Sequence, residues 1–291
     1  MAGDQGLNPW RPNRRALLAA LTCGVAPLAF PAAAAAPGLV LNGRLEQGGY
    51  AVGRTAPRAS VLVDGVPLTQ ASADGWFMVG FDRDAAPSAD ITVETPDGSA
   101  THRVAIASGT FDIQRIDGLP PSQVSPEDPV LLARIAAEGA RKAAGFSSRI
   151  DGDFFRTGFI WPVKATRRSS RFGGQRILNG EPKRPHYGVD LAAPVGTPVV
   201  APAAGVVAFA ETGLHFEGGL ILIDHGQGLI SAYLHLSRVD VAAGQRLAQG
   251  QVIGAVGKEG RATGPHLCWR LKWRDRNLDP SLWVADAGMR Q

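Results

Sequence analysis

Cysteine is nearly absent from this chain, with only Cys23 and Cys268 in 291 residues. Cys23 lies in an apolar N-terminal stretch, and if that stretch is removed, Cys268 is the only thiol and no intramolecular disulfide can form. A lone thiol in an oxidising compartment is a liability unless it is buried or holds a metal. A surplus of one charge is missing too. Net charge is +4, and residues 1–36 take three of the 30 basic and one of the 26 acidic side chains, leaving 27 against 25. That balance gives no general reason to expect nucleic acid as a partner. Beyond residues 16–30, no apolar run approaches the roughly 20 residues of a membrane-spanning helix. Hydrophobic content of 45% and charged content of 19% argue against general disorder.

The first 36 residues read as an export signal. Arg14-Arg15 precede an apolar run from Ala16 to Phe30, and Ala32 to Ala36 offer small-residue cleavage sites. Two readings stay open: a twin-arginine signal, exported after folding, or an ordinary secretory n-region holding two adjacent arginines. Either places the mature chain outside the cytoplasm, in the periplasm or cell envelope, with no integral span and no access to nucleic acid.

A mainly β protein is expected after the signal. Residues 37–110 alternate short strands with Asp-Gly turns, as in Ser60-Val61-Leu62-Val63 before Asp64-Gly65, which suggests a small, immunoglobulin-like β-sandwich. It holds one histidine, His102, and no acidic cluster suited to catalysis, so a placement or binding module is expected. Residues 111–156 form a connector with a linking helix. Ser125-Pro126 are expected as its N-cap and N1, and Gly145 as its stop. Arg134, Glu138, Arg141 and Lys142 are expected on its solvated face. Residues 157–285 are dense in glycine and proline, which predicts a compact antiparallel β-domain, with residues 286–291 a tail. Between Lys164 and Arg184 stand seven basic residues and one acid, Glu181. They suit anionic groups of a ligand, or form a solvated loop edge.

The stretch Gly264-Pro-His-Leu-Cys-Trp269 carries the chemistry. With period two, His266, Cys268, Arg270, Lys272 and Arg274 take one face of a strand, and Leu267, Trp269, Leu271 and Trp273 the other. That puts a histidine and a thiol about 7 Å apart on the polar face. Cys268 read alone is a small buried hydrophobe, but its phase, shared with charged residues, argues against that. His186 and Asp190 are four apart, though Pro185 and Gly188 make a bend entering a strand more suitable than a helix. In Leu229–Leu236, Ser231, Tyr233 and His235 share a face. Zinc takes nitrogen, oxygen and sulfur ligands, and catalytic sites use three protein ligands and leave a place for water.

His186-Tyr-Gly-Val-Asp190, Gly196-Thr-Pro-Val, Tyr233-Leu-His235-Leu-Ser, Gly250-Gln-Val-Ile-Gly and Thr263-Gly-Pro-His266 resemble the LytM-type, lysostaphin-like M23 zinc metallopeptidases, over about Phe159 to Val284. The resemblance implies cleavage of peptidoglycan peptide bonds, in stem peptides or cross-links, by water activated on one zinc ion. It makes His186 and Asp190 zinc ligands, and His235 and His266 the catalytic histidines. The family's third ligand, a histidine, is here Cys268. The order of the two histidines in proton transfer and oxyanion stabilisation stays open.

Cys268 leaves two functions in play: a zinc endopeptidase, or a weakly active regulator that binds the wall or activates a cell-wall amidase. Asp190 and Cys268 together neutralise both charges of the zinc ion, which predicts firm metal retention and weaker polarisation of bound water. A carrier-type reading of Val239–Gly257 fails, because Lys258 lacks the expected flanking residues and the histidines go unexplained.

Overall fold

The computed structural model describes residues 39–165 and 167–284; the export segment and residues 286–291 lie outside the described residues. The described residues fall within one compact unit. Its first seven strands are β1 (Val40–Arg44), β2 (Tyr50–Arg54), β3 (Ser60–Val63), β4 (Val66–Gln70), β5 (Trp76–Gly80), β6 (Ser88–Thr95) and β7 (Gly98–Ala105). They build two small antiparallel sheets, ordered β1-β2-β5 and β4-β3-β6-β7. The β3–β4 hairpin turns on Asp64 and Gly65, both at positive φ (51° and 78°), the two-residue turn whose twist matches its strands. Alternation is visible in β6, where Ala89, Ile91 and Val93 are buried and join Val61, Val63, Phe77 and Val79 in one core.

The connector is more than a spacer. Its strand β8 (Ile113–Ile116) leaves the first two sheets and pairs in parallel with β10 (Gln175–Leu178), which also pairs with β11 (Glu181–Pro182). A short helix α1 (Pro121–Val124) precedes α2 (Pro129–Phe146). The expected start of α2 is three residues early. Asp128 is the N-cap, its side chain accepting from Val130 N, and Pro129 is N1, while Ser125 ends α1. Gly145 lies inside the helix, not beyond it. A Cβ there would come within 2.9 Å of Leu222 Cδ1 and Phe209 Cβ, so the glycine admits a close approach to the sheet. The charged face of α2 is solvated only in part: Arg134 and Arg141 stay exposed, while Glu138 and Lys142 are docked. Glu138 is buried, accepting from Arg134 Nε and His215 N, and Lys142 pairs with Glu217 at 2.7 Å.

The remaining strands are β9 (Arg167–Ser170), β12 (Val189–Ala192), β13 (Pro198–Val200), β14 (Gly205–Leu214), β15 (Gly218–Asp224), β16 (Leu229–Val239), β17 (Arg246–Leu247), β18 (Val252–Val256), β19 (His266–Trp273) and β20 (Arg276–Leu278). They form a ten-stranded sheet with the main path β17-β14-β15-β16-β19-β12-β9. The strand with the expected alternation, β19, sits between β16 and β12. Its Leu267, Trp269, Leu271 and Trp273 are buried in the large core shared with the first two sheets. Gln227 stitches the two parts, donating to Trp76 O and accepting from Met78 N. Among the described residues, no helix is long and apolar enough to cross a membrane.

Candidate functional site

Register brings the first candidate ligand group together. Cys268 lies opposite Asp190 on β12 and Leu234 on β16, so thiol and carboxylate start as cross-strand neighbours. His186, in the bend before β12, folds back over the pair. Its Nε2 is 3.3 Å from Cys268 Sγ and 3.2 Å from Asp190 Oδ1. All three residues are buried, and their ligand atoms lie within 4.8 Å of one another. Zinc bound at about 2.0–2.1 Å from nitrogen or oxygen and about 2.3 Å from sulfur would hold such atoms about 3.3–3.6 Å apart. Asp190 Oδ1 is buried and makes no aligned hydrogen bond among the described residues, as an atom aimed at a cation would. The donor set therefore fits a divalent metal. The sequence expectation of an open polar face needs correction at Cys268, which is 1% exposed beside Leu220, Leu222, Ala232 and Leu234. Phe146 of α2 packs against this cluster, while His186 and Arg270 approach the sulfur itself.

The electrostatics favour a cation at this point. Burial holds Asp190 back from ionising, but His186, His266 and Arg176 outweigh it and keep its carboxyl well below the ordinary range. At His186, burial opposes the charged form, and the Asp190 and Cys268 anions more than offset it, so the pKa rises. His186 Nδ1 faces Ser170 Oγ at 2.8 Å, and that oxygen accepts from Gln114 Nε2 at 2.7 Å. Gln114 sits on β8, so the connector braces the orientation of His186.

His235 reaches the site against its strand phase. On β16, Ser231 and Tyr233 point into the core opposite Leu271 and Trp269, and simple alternation would send His235 after them. A β-bulge intervenes. His235 adopts φ +67° and donates its N–H to Glu217 O, while the β15 register shifts between Gly219 and Ile221. Its ring turns toward His266, with centroids 4.8 Å apart. The expected shared face of Tyr233 and His235 is thus corrected. Tyr233 is fully buried, its hydroxyl 2.7 Å from Ser231 Oγ, and packs.

Both histidines present the same atom to the cleft. Nδ1 of His235 lies 2.8 Å from Glu259 O, and Nδ1 of His266 lies 2.8 Å from Gly264 O. A carbonyl only accepts, so each Nδ1 carries the proton and each neutral ring turns its Nε2 lone pair outward. His266 Nε2 is 3.7 Å from Asp190 Oδ1. Burial pushes His235 down to about 4 and lowers His266 as well, keeping both neutral near pH 7.

Three arginines complete the surroundings. Arg270 Nε donates to Cys268 Sγ at 3.4 Å, and Arg176 Nη2 lies 3.4 Å from Asp190 Oδ2. Arg261 donates to Gln123 O and stacks on Phe216. A cleft of about 60 Å³ is lined by Asp190, His235, His266, Arg176 and Arg261, with Ile116 and Leu119 of the connector opposite. A cavity of about 680 Å³ adjoins it through Arg176, Leu178 and Arg261 and is bounded by His186 and Arg270. The site thus unites all five residues singled out by sequence, while His102 stays on exposed β7. Gln114, Ser170, Arg176, Arg261 and Arg270 were not singled out. Arg270 carried a signal in sharing the phase of His266 and Cys268, and Arg176 lies in the basic stretch. The others carried none.

Residues 184–280 match the profile of Peptidase family M23. Over 133 residues the chain is 40% identical to peptidoglycan DD-endopeptidase ShyA of Vibrio cholerae serotype O1, covering 44% of this chain and 30% of that protein. Over 121 residues it is 40% identical to the DD-carboxypeptidase/endopeptidase Mpg of Neisseria meningitidis serogroup B, covering 42% and 28%. The match thus spans under a third of either relative. A crystal structure of a candidate M23 peptidase from Pseudomonas aeruginosa aligns over 82% of this chain and 95% of its own, with 31% identity and a TM-score of 0.65. The profile runs across the whole stretch from His186 to Cys268 and the fold extends over nearly all of that solved structure, so the chain belongs to peptidase family M23.

Proposed function

We propose that this protein is an exported, zinc-dependent endopeptidase that hydrolyses peptide bonds of bacterial peptidoglycan in the periplasm or cell envelope. The observation that carries the reading is the convergence of His186 Nε2, Asp190 Oδ1 and Cys268 Sγ beside two neutral histidines that turn Nε2 into one cleft. The substrate class comes from the relatives, two of which are named for peptidoglycan or DD-peptide cleavage.

In this reading His186, Asp190 and Cys268 hold the ion. A divalent ion held there supplies Lewis-acid polarisation of a carbonyl and lowers the pKa of a water. His235 and His266 manage the proton. One Nε2 accepts it from water and holds it as imidazolium beside the developing oxyanion, then delivers it to the leaving amine. The buried neutral state of both rings keeps the acceptor available at neutral pH. Arg270 answers the charge problem raised by the thiolate. A thiolate in place of histidine removes one positive charge from the site, and a guanidinium 3.4 Å from the sulfur returns one. Full peptidase chemistry and a cysteine ligand are therefore compatible here.

The test is digestion of purified cross-linked muropeptides by the metal-loaded chain, with products resolved by mass. Cleavage that stops on chelation and returns with zinc is expected. Stoichiometric zinc with no cleavage, but stimulation of an amidase, would replace this reading with that of a regulator.

A further inference from the structure

Cationic side chains are concentrated on the floor and walls of the larger cavity. Arg270 and Lys272 rise from alternate positions of β19, continuing the face that carries Cys268. Arg176, on β10, and Arg261, in the loop before β19, overhang the same floor and border both hollows. Lys183 and Arg184 close the side next to His186. The acid lining this cavity is Asp275. Lys183 is already committed to Glu181 at 2.6 Å, and Lys272 lies over the Phe146 ring, which leaves the three buried or half-buried guanidiniums to explain.

Those guanidiniums are poorly matched by acceptors. Each offers five N–H donors. Arg176 has one contact at 3.4 Å, to Asp190 Oδ2, and its Nε is buried without a partner among the described residues. Arg270 donates to a sulfur, and Arg261 to a single backbone carbonyl. Burial lowers the pKa of Arg176 and Arg261, and mutual repulsion with Arg270 adds to this. Glu217, the remaining nearby acid, is held by Lys142. The acceptors facing this group are the Asp190 carboxylate and the Cys268 sulfur, the two groups that a divalent cation would engage. A loaded site would then leave Arg176, Arg261 and Arg270 facing an open cavity whose one lining acid, among the described residues, is Asp275. Like charges confined this way are stabilised by an anion from outside, and the planar fork of arginine matches a carboxylate bidentately.

We propose that Arg176, Arg261 and Arg270 form a carboxylate-binding subsite beside the metal-ligand cluster, so that the preferred substrate is a peptide bearing a free carboxylate on or next to the residues flanking the cleaved bond. The subsite rests on the peptidase reading for its substrate, but its anion preference is measurable without any turnover. A peptide amidated at that carboxylate keeps its shape and loses its charge, and a site built for the ion discriminates against it.

The experiment compares binding of a muropeptide with free carboxylates and its carboxamide form, by calorimetry, to the full-length metal-loaded chain carrying His235→Ala to prevent cleavage. Metal content and melting temperature are recorded for each protein. The acid form is expected to bind at least about tenfold more tightly. Arg261→Gln, which touches no ligand of the metal cluster, and Arg176→Gln should each reduce that ratio toward one while the amide form binds as before. Equal affinities for acid and amide would overturn the subsite, as would a ratio unchanged in both arginine variants. Failure of the unmutated chain to cut any peptide would count against the peptidase reading alone, because the binding ratio is read separately.

Discussion

At residue scale, Cys268 and its neighbours decide the chemistry. The sulfur is buried, cross-strand from a carboxylate, 3.3 Å from an imidazole nitrogen and 3.4 Å from a guanidinium. A thiol kept only for packing would have no need of those three polar partners. Cys268→Ala is expected to lose most bound zinc, as read by atomic absorption after dialysis, and unchanged zinc would remove Cys268 from the ligand set. In Cys268→His the metal is expected to stay. The two neighbouring histidines give a pH signature. A proton acceptor must be neutral, and burial brings His235 protonation down to about 4, so protons silence it only in that region. The acid limb of kcat/KM, measured at saturating zinc, should lie well below the ordinary histidine value near 6.5. A limb at or above that value would contradict the assignment.

At the scale of elements, a bulge and a borrowed strand build the site. The φ of +67° at His235 is a left-handed conformation that costs a non-glycine residue about 1–2 kcal/mol, and it delivers the ring to His266 instead of the core. Strand β8 carries Gln114 to Ser170, which faces the back of His186. Supports of this kind orient metal ligands, so Ser170→Ala is expected to weaken zinc affinity by about 10–100-fold, and Gln114→Ala by less. Competition with a chromophoric chelator measures both, and an unchanged affinity in Ser170→Ala would leave that hydroxyl without a role. These elements also mark the limit of what was legible beforehand. The alternation of His266 to Trp273 was readable, because period two follows from strand geometry alone, whereas spacing did not join the five residues of the cleft and only the resemblance to a family grouped them. The bulge was not readable, because Tyr-Leu-His-Leu-Ser reads as unbroken alternation and only pairing with β15 forces the extra residue. Gln114 was hidden because its partner lies 56 residues away. The true start of α2 was masked by two competing signals, Ser125-Pro126 and Asp128-Pro129, each with the chemistry of a helix N-terminus.

Across the whole molecule, one core joins the N-terminal sheets to the sheet that carries the site. That core encloses a polar chain in which His225 Nε2 meets Ser231 Oγ at 2.7 Å and Ser231 meets Tyr233, with His225 Nδ1 donating to Ala204 O. Solvent cannot reach it, so this serine–histidine pair is structural. Burial lowers His225 to about 4, against the aid of Ala204 O and Asp224. The unfolded chain therefore binds a proton between about pH 6.5 and 4 that the folded chain does not. Stability is whole above about pH 6.5 and declines as pH falls through that window, by an order of about 3 kcal/mol from this residue. Urea midpoints of the chelated protein at several pH values should follow that fall, and His225→Gln should lessen it by this residue's share, with His235 and His266 supplying the remainder; an equally steep fall in the variant would assign the loss to other groups.

In the proposed reading, one metal ion held by His186, Asp190 and Cys268 makes this chain a working peptidase. Titrating zinc into the chelated protein, while following the rate of muropeptide cleavage, tests it most directly. The rate is predicted to rise and saturate at one zinc per chain in the native protein and to stay at baseline in Cys268→Ala. Cleavage without zinc, or a Cys268→Ala titration that saturates like the native one, would contradict it.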